Sequence, residues 1–162
     1  MNTTMRNKAF TLVEILIVVI ILGILAAIIV PKFSTASATA RASMMADDLR
    51  LMRTQIAVFK SQHTDVPPGY VGLVIGATAD EPTFIQHMTT VTTCVGRNFG
   101  PYLREMPVNP INNKSTIEII ADGTTFPVAG DNSHGWIYQP STMTFKADSP
   151  GADDSNKAFI DY

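Results

Sequence analysis

Glu14 is the residue whose chemistry most needs a partner. From Leu12 to Val30 no other residue is charged, and Ile15 to Val30 is apolar throughout apart from Gly23. A carboxylate in such a run costs a few kcal/mol to place in hydrocarbon and is normally paired. Ile17 and Val18 stand three and four residues further on, so the next helical turn supplies no cation. Two readings follow: Glu14 sits at a membrane interface and needs no partner, or its partner belongs to another chain. The other chemistry-bearing residues are more dispersed. Asp131, Asp148, Asp153 and Asp154 fall in loop and tail sequence, where gathered oxygen ligands suit calcium. Their spacing is not that of an EF-hand, and an ordinary solvated acidic loop is the competing reading. Cys94 reads as a small hydrophobe, with no base placed to activate it. His63, His87 and His134 lack metal-site spacing and read as surface or cap residues. Gly96, Gly100 and Pro101 mark a loop, without the glycine spacing or lysine of a phosphate cradle. No residue is assigned to catalysis.

The elements that carry these residues follow from length and hydropathy. A chain of 162 residues allows an anchor and one modest domain. A helix from Phe10 to Val30 would rise about 31 Å, close to the hydrocarbon thickness of a bilayer. Arg6 and Lys8 precede it, so the positive-inside rule puts residues 1–9 in the cytoplasm and the bulk of the chain across the membrane. The basic region is short, the apolar run exceeds a secretory h-region, and Ile28-Ile29-Val30 follows the small pair Ala26-Ala27, so a conventional signal peptide is disfavoured. The chain has 12 basic and 14 acidic residues; setting aside Arg6 and Lys8 leaves 10 against 14, a net of −4. With no basic stripe, nucleic acid is not an expected partner.

The N-terminal residues carry a specific likeness. Lys8-Ala9-Phe10-Thr11-Leu12-Val13-Glu14-Ile15-Leu16, the apolar run and Pro31 resemble the class III signal of type IV prepilins and type II secretion pseudopilins. The resemblance implies that a prepilin peptidase cuts between Ala9 and Phe10 on the cytoplasmic side and that the new amine is methylated. Phe10 becomes the first mature residue and Glu14 the fifth, whose carboxylate in that family neutralises a neighbouring subunit's N-terminal amine during assembly. One residue departs from the pattern: the family nearly always has glycine before the cut, and Ala9 stands here. Pro31 matches the family's proline near the twenty-second mature position. The resemblance further implies a helix that bends or partly melts between Gly23 and Pro31 as subunits pack.

Beyond Pro31, the residues Ala38, Ala42, Met45, Leu49, Met52, Ile56 and Phe59 alternate at spacings of four and three, one apolar face of a helix, opposite Asp47, Arg50, Thr54 and Ser61. The methionines are adaptable filler. Pro67-Pro68-Gly69 stops this helix near Gln62 or His63. Pro82 to Cys94 reads as a short helix, and Thr116–Ile120, Gly135–Gln139 and Met143–Ala147 as strands. Trp136, Tyr138 and Phe145 then pack the sheet on the helix stripe. Gly100-Pro101-Tyr102-Leu103, Pro107-Val108-Asn109-Pro110 and Gly135-Trp136-Ile137-Tyr138 are similar to pseudopilin patterns, less specifically than the N-terminus.

The expected fold is α+β and pilin-like: a long N-terminal transmembrane and stalk helix packed on a small antiparallel sheet. Residues 1–9 form the leader, 10–30 the transmembrane and filament-core helix, 31–63 its amphipathic continuation, and 64–162 an exported domain with an acidic C-terminal loop. The resemblance implies a structural subunit of a type II secretion pseudopilus, most like the major pseudopilin. It polymerises with itself and meets minor pseudopilins, the prepilin peptidase, an inner-membrane assembly platform and, before assembly, the lipid bilayer. Calcium is the one cofactor it suggests, on the acidic loops. Alternatives are a type IV pilin, which often carries a C-terminal disulfide that one cysteine cannot form, and a membrane-anchored binding module that never polymerises.

Overall fold

The structure is a computed structural model describing residues 11–162, the side chains at positions 31 and 34 excepted. The chain divides into a unit ending at Ser37 and a unit Ala38–Tyr162. Helix α1, Leu12–Gln62, contributes to both. It opens at Thr11, whose hydroxyl accepts the Glu14 N–H at 3.2 Å and satisfies one of the orphan donors of the first turn. Its helical backbone is continuous past Gly23 and position 31.

In the first unit the apolar residues of α1 face outward all round: Ile15 to Leu22 are each about half exposed, and the apolar segment buries nothing inside the chain. It is long and apolar enough to cross a membrane. A helix that is hydrophobic on every side needs a non-aqueous surrounding or other helices.

In the second unit the helix changes character. Ala42, Met45, Leu49, Met52, Ile56 and Phe59 are buried, while Ala38, the first residue of the stripe, stays exposed. The stripe packs against Phe84 and Met88 of α2 (Glu81–Thr89) and against Trp136, Tyr138 and Phe145 of the sheet. Helix α2 is started by Asp80, whose carboxylate accepts the Thr83 N–H at 2.8 Å, with Pro82 in the first turn.

Residues 82–94 do not form one helix. Helix α2 ends at Thr89, and β1 (Thr92–Cys94) pairs antiparallel with β2 (Arg97–Phe99). The run Val91-Thr92-Thr93-Cys94-Val95 is rich in β-branched residues, which fit a pleated strand better than a helix. Val95 and Gly96 turn the hairpin with positive φ of 47° and 71°, the two-residue geometry that matches strand twist.

The main sheet has the order β3 (Ile117–Ile119), β4 (Trp136–Gln139), β5 (Thr144–Ala147). It is small, as its sequence predicts, and β4–β5 is an antiparallel hairpin; β3, however, lies parallel to β4. The segment 120–135 between them is long enough to carry the chain back to the other end of the sheet, which a tight turn cannot do. Central strand β4 is buried on both faces. Trp136 and Tyr138 look into the helix core, and Ile137 packs with Ile120 and Ile160 on the opposite face.

Candidate assembly determinants

Glu14 lies in the first turn of α1, exposed, and no salt bridge to it is found among the described residues. Its backbone N–H is held by the Thr11 hydroxyl and the Thr11 carbonyl, both at 3.2 Å. The turn is therefore satisfied while the carboxylate remains available. The Thr-x-x-Glu spacing of residues 11–14 is a helix-start signal in its own right. It accounts for Thr11, which the apolar pattern alone passes over.

A model of the prokaryotic N-terminal methylation motif matches residues 4–30. The chain is also similar to the type II secretion system core protein G of Pseudomonas aeruginosa, 28% identical over 122 residues, 75% of this chain and 79% of that protein. It is 30% identical over 107 residues to the core protein G of Dickeya chrysanthemi, covering 65% and 63% of the two chains. With the core protein G of Klebsiella pneumoniae it shares 28% over 109 residues, 65% and 69% of the two. By these likenesses the chain resembles the type IV pilin and pseudopilin family. No solved structure matches it.

The likenesses, with the long helix packed on a small sheet, support a structural role in a pilus or pseudopilus. Of the residues expected to act in pseudopilin processing and assembly, Ala9 and Phe10 lie outside the described residues. Glu14 is at the start of α1 and position 31 is within it.

The four acids proposed for calcium fall into two pairs, each engaged by donors. Asp148 is fully buried. Its Oδ1 accepts the N–H groups of Asp131 (2.8 Å) and Asn132 (3.3 Å), and its Oδ2 accepts the His134 N–H (2.7 Å) and the Ser133 hydroxyl (3.1 Å). Asp131 accepts the Ser133 N–H, and hydrogen bonds from Ser133 hold its carboxyl below the usual range. Asp153 and Asp154 are in the C-terminal tail. Asp153 accepts the N–H groups of Ser155 and Lys157 on one oxygen and the Tyr162 hydroxyl on the other. The Tyr162 bond leads the causes that lower its pKa. Asp154 accepts the Thr39 hydroxyl at 2.7 Å. Among the described residues no three His, Cys, Asp or Glu side chains gather as a metal would need. Oxygens that already face N–H and O–H donors do not fit a cation in this arrangement.

The loop that Asp148 organises is braced by Asn109, which is fully buried within the Pro-Val-Asn-Pro stretch. Its side-chain amide donates to the Gly135 carbonyl (2.7 Å) and the Ser149 hydroxyl (3.0 Å), and its oxygen accepts the Ile111 N–H (2.9 Å). Trp136 donates its indole N–H to the Pro107 carbonyl at 2.9 Å. A Cβ on Gly135 would lie 2.1 Å from the Lys114 carbonyl oxygen, so only glycine can precede Trp136. These contacts explain physically why the two motifs occur in one chain.

Two of the histidines read as surface or cap residues are buried in the core, His63 at the C-terminal end of α1. His63 is fully buried, stacked on Phe59 with ring centroids 3.9 Å apart, and its ring nitrogens meet the Phe59 carbonyl (2.9 Å) and the Thr92 hydroxyl (2.7 Å). His87 is buried and also stacks with Phe59, centroids 5.1 Å apart, and its Nδ1 accepts the Gly69 N–H at 3.1 Å. Each ring nitrogen so used has a partner, which makes burial tolerable. His134 is half-buried, within reach of the Ser133 hydroxyl at 2.8 Å. Cys94 is a half-buried free thiol on β1.

Proposed function

We propose that this chain is a subunit of a type II secretion pseudopilus, the kind of assembly named for its core protein G relatives. A prepilin peptidase removes residues 1–9, and the mature chain sits as a single-pass protein of the inner membrane with its C-terminal domain in the periplasm. An inner-membrane assembly platform then draws it into a helical homopolymer alongside minor pseudopilins. Residues 10–30 pass from lipid to the fibre core, which keeps their apolar surface out of water throughout.

The observation that carries this reading is Glu14: an exposed carboxylate in the first turn of an apolar helix, with no ion pair among the described residues. In water such a group needs nothing. In a hydrocarbon core it needs a cation, and the amine of a neighbour's Phe10 is the one that a fibre of identical chains brings to it. A helical fibre is built from heterologous contacts, so donor and acceptor lie on different faces and the pairing repeats without closing.

The test is filament yield from the full-length chain expressed with its assembly machinery. Glu14→Ala and Glu14→Gln are expected to lower yield about tenfold or more, with the melting of the outer domain unchanged. Filaments at wild-type yield from Glu14→Ala would sink the pairing. A wild-type chain that stays an uncleaved monomer would instead support the anchored binding module.

A further inference from the structure

The acidic C-terminal tail suggests calcium by its composition, but its geometry is closed by the chain's own groups. Asp153 sits at the centre. One carboxylate oxygen accepts two backbone N–H groups, from Ser155 at 2.8 Å and Lys157 at 2.9 Å. The other accepts the hydroxyl of Tyr162, the last residue. The Lys157 ammonium lies over the Tyr162 ring, 3.9 Å from its centroid, so a positive charge rests on the aromatic face whose hydroxyl points to Asp153. Its attraction for Asp153 is among the influences that favour the ionised carboxylate. Backbone bonds complete the loop: Asp153 N–H to the Lys157 carbonyl at 3.0 Å, Asn156 N–H to the Asp153 carbonyl at 3.0 Å, and a bridge between Ala152 and Ala158.

The closed loop is then fixed to α1 at two points. Asp154 accepts the Thr39 hydroxyl at 2.7 Å, and the Arg53 guanidinium donates to the main-chain oxygen of Tyr162 at 2.5 Å. A divalent ion in an acidic loop does two things: it neutralises carboxylates and it ties distant backbone together. Here Lys157 supplies the positive charge, and Asp153 with Tyr162 supplies the tie. The second acidic pair needs no ion either, because all that Asp148 can accept is directed at N–H and O–H donors of residues 131–134.

We infer that the C-terminal loop of this subunit is locked by an internal Lys157–Tyr162–Asp153 clasp that takes the place of a calcium ion, so that its outer domain folds and holds its shape independently of calcium. The inference does not depend on the filament reading, since it concerns the fold of the outer domain, and its test is read on unassembled protein.

The experiment is thermal unfolding of the full-length chain in detergent micelles, followed by the fluorescence of its single tryptophan, Trp136, in millimolar calcium chloride and in excess chelator. The expected melting temperatures coincide. A tightly bound calcium would raise the value by about 5 °C or more, and such a rise overturns the inference. Tyr162→Phe and Lys157→Gln remove the hydroxyl tie and the charge respectively. Each is expected to lower melting equally in calcium and in chelator. Loss of stability only in chelator, or no loss from either variant, would also overturn it. Direct calcium titration by calorimetry tests the same point without relying on unfolding: heats no larger than dilution are expected, and a saturating site would refute the clasp as a substitute.

Discussion

Arg53 and Glu81 cap opposite edges of the same three-stranded sheet. On β5, Phe145 turns its carbonyl away from β4, and Arg53 donates to it through Nε at 3.0 Å and Nη2 at 2.9 Å. On β3, Ile117 turns its N–H away from β4, and the Glu81 carboxylate accepts it at 2.8 Å. The outward direction follows from the ladder, in which alternate residues of an edge strand leave both their polar groups facing out. An edge whose free groups are occupied by charged side chains is a poor template for another strand. Under the proposed function copies join through their helices, and a capped sheet keeps stray strand pairing from competing with that.

Arg53→Ala should therefore cost about 1–2 kcal/mol, since it strips a charged donor from a partly buried carbonyl. Arg53→Lys should recover little, because an ammonium cannot present the planar fork that reaches both Phe145 and Tyr162. Glu81→Gln keeps an acceptor and should cost less than about 1 kcal/mol. Urea unfolding of the full-length protein in detergent measures all three. A fully wild-type Arg53→Ala would contradict the capping role, and full recovery by Arg53→Lys would contradict the need for the fork.

Asp148 is the most consequential acid for folding. Removing it leaves four donors of residues 131–134 without their acceptor in a partly buried setting. Asp148→Ala is expected to cost about 2–4 kcal/mol. Asp148→Asn should lie close to it, since one oxygen becomes an NH2 that faces N–H groups. Fluorescence of Trp136, next to Gly135 at the end of this loop, is a direct readout. A change within about half a kcal/mol would show that the loop re-forms without its anchor.

His87 makes the domain acid-sensitive. Burial first, and the nearby His63 second, hold its pKa down at about 4, while Asp80 pulls the other way. Its neutral Nδ1 is needed to accept the Gly69 N–H. With a folded value below the unfolded one near 6.5, its contribution is fully present above pH about 6.5 and is lost as pH falls from there toward 4. The loss should reach about 2 kcal/mol once residual solvent screening is allowed for. His87→Asn retains an acceptor without the titration, so its stability should fall less steeply over this window. Parallel pH profiles for the two proteins would contradict the assignment.

Tyr138 carries a hydroxyl that is buried and has no hydrogen-bond partner among the described residues. Burial, reinforced by Tyr70 and Asp122, drives its pKa upward, so it stays neutral. Tyr138→Phe removes a desolvated polar atom and keeps the ring that packs, tilted by 52°, against Phe84 at a centroid distance of 4.7 Å. It should be neutral or stabilising by up to about 1 kcal/mol. A loss above about 1 kcal/mol in chemical unfolding would mean that the hydroxyl is satisfied after all.

Much of this protein could be read along the chain. The apolar run, Glu14 and the stripe from Ala42 to Phe59 are periodic or local patterns, and local patterns depend on side-chain type alone. The strands containing Trp136 and Phe145 were legible for the same reason. The break between α2 and β1 was harder. Phe84, Ile85, Met88 and Val91 keep a helical spacing up to the break, which masks the β-branched run that follows, and the hairpin turn at Val95 and Gly96 with its positive φ is a property of the folded backbone.

The long apolar segment, the lone carboxylate and the helix face that would be buried were therefore legible in the sequence, because each follows from hydropathy and a helical period of about 3.6. Which partners the polar residues would find was settled only by the tertiary structure. His63 and His87 read as surface or cap residues until both rings are seen stacked with Phe59 in the core, and Asp148 looks like a metal ligand until the loop 131–134 folds its N–H groups onto it. The parallel entry of β3 belongs to the same class. A buried polar group is tolerable only with a partner, and here the partners come from segments far apart in the chain, which folding alone brings within hydrogen-bond distance.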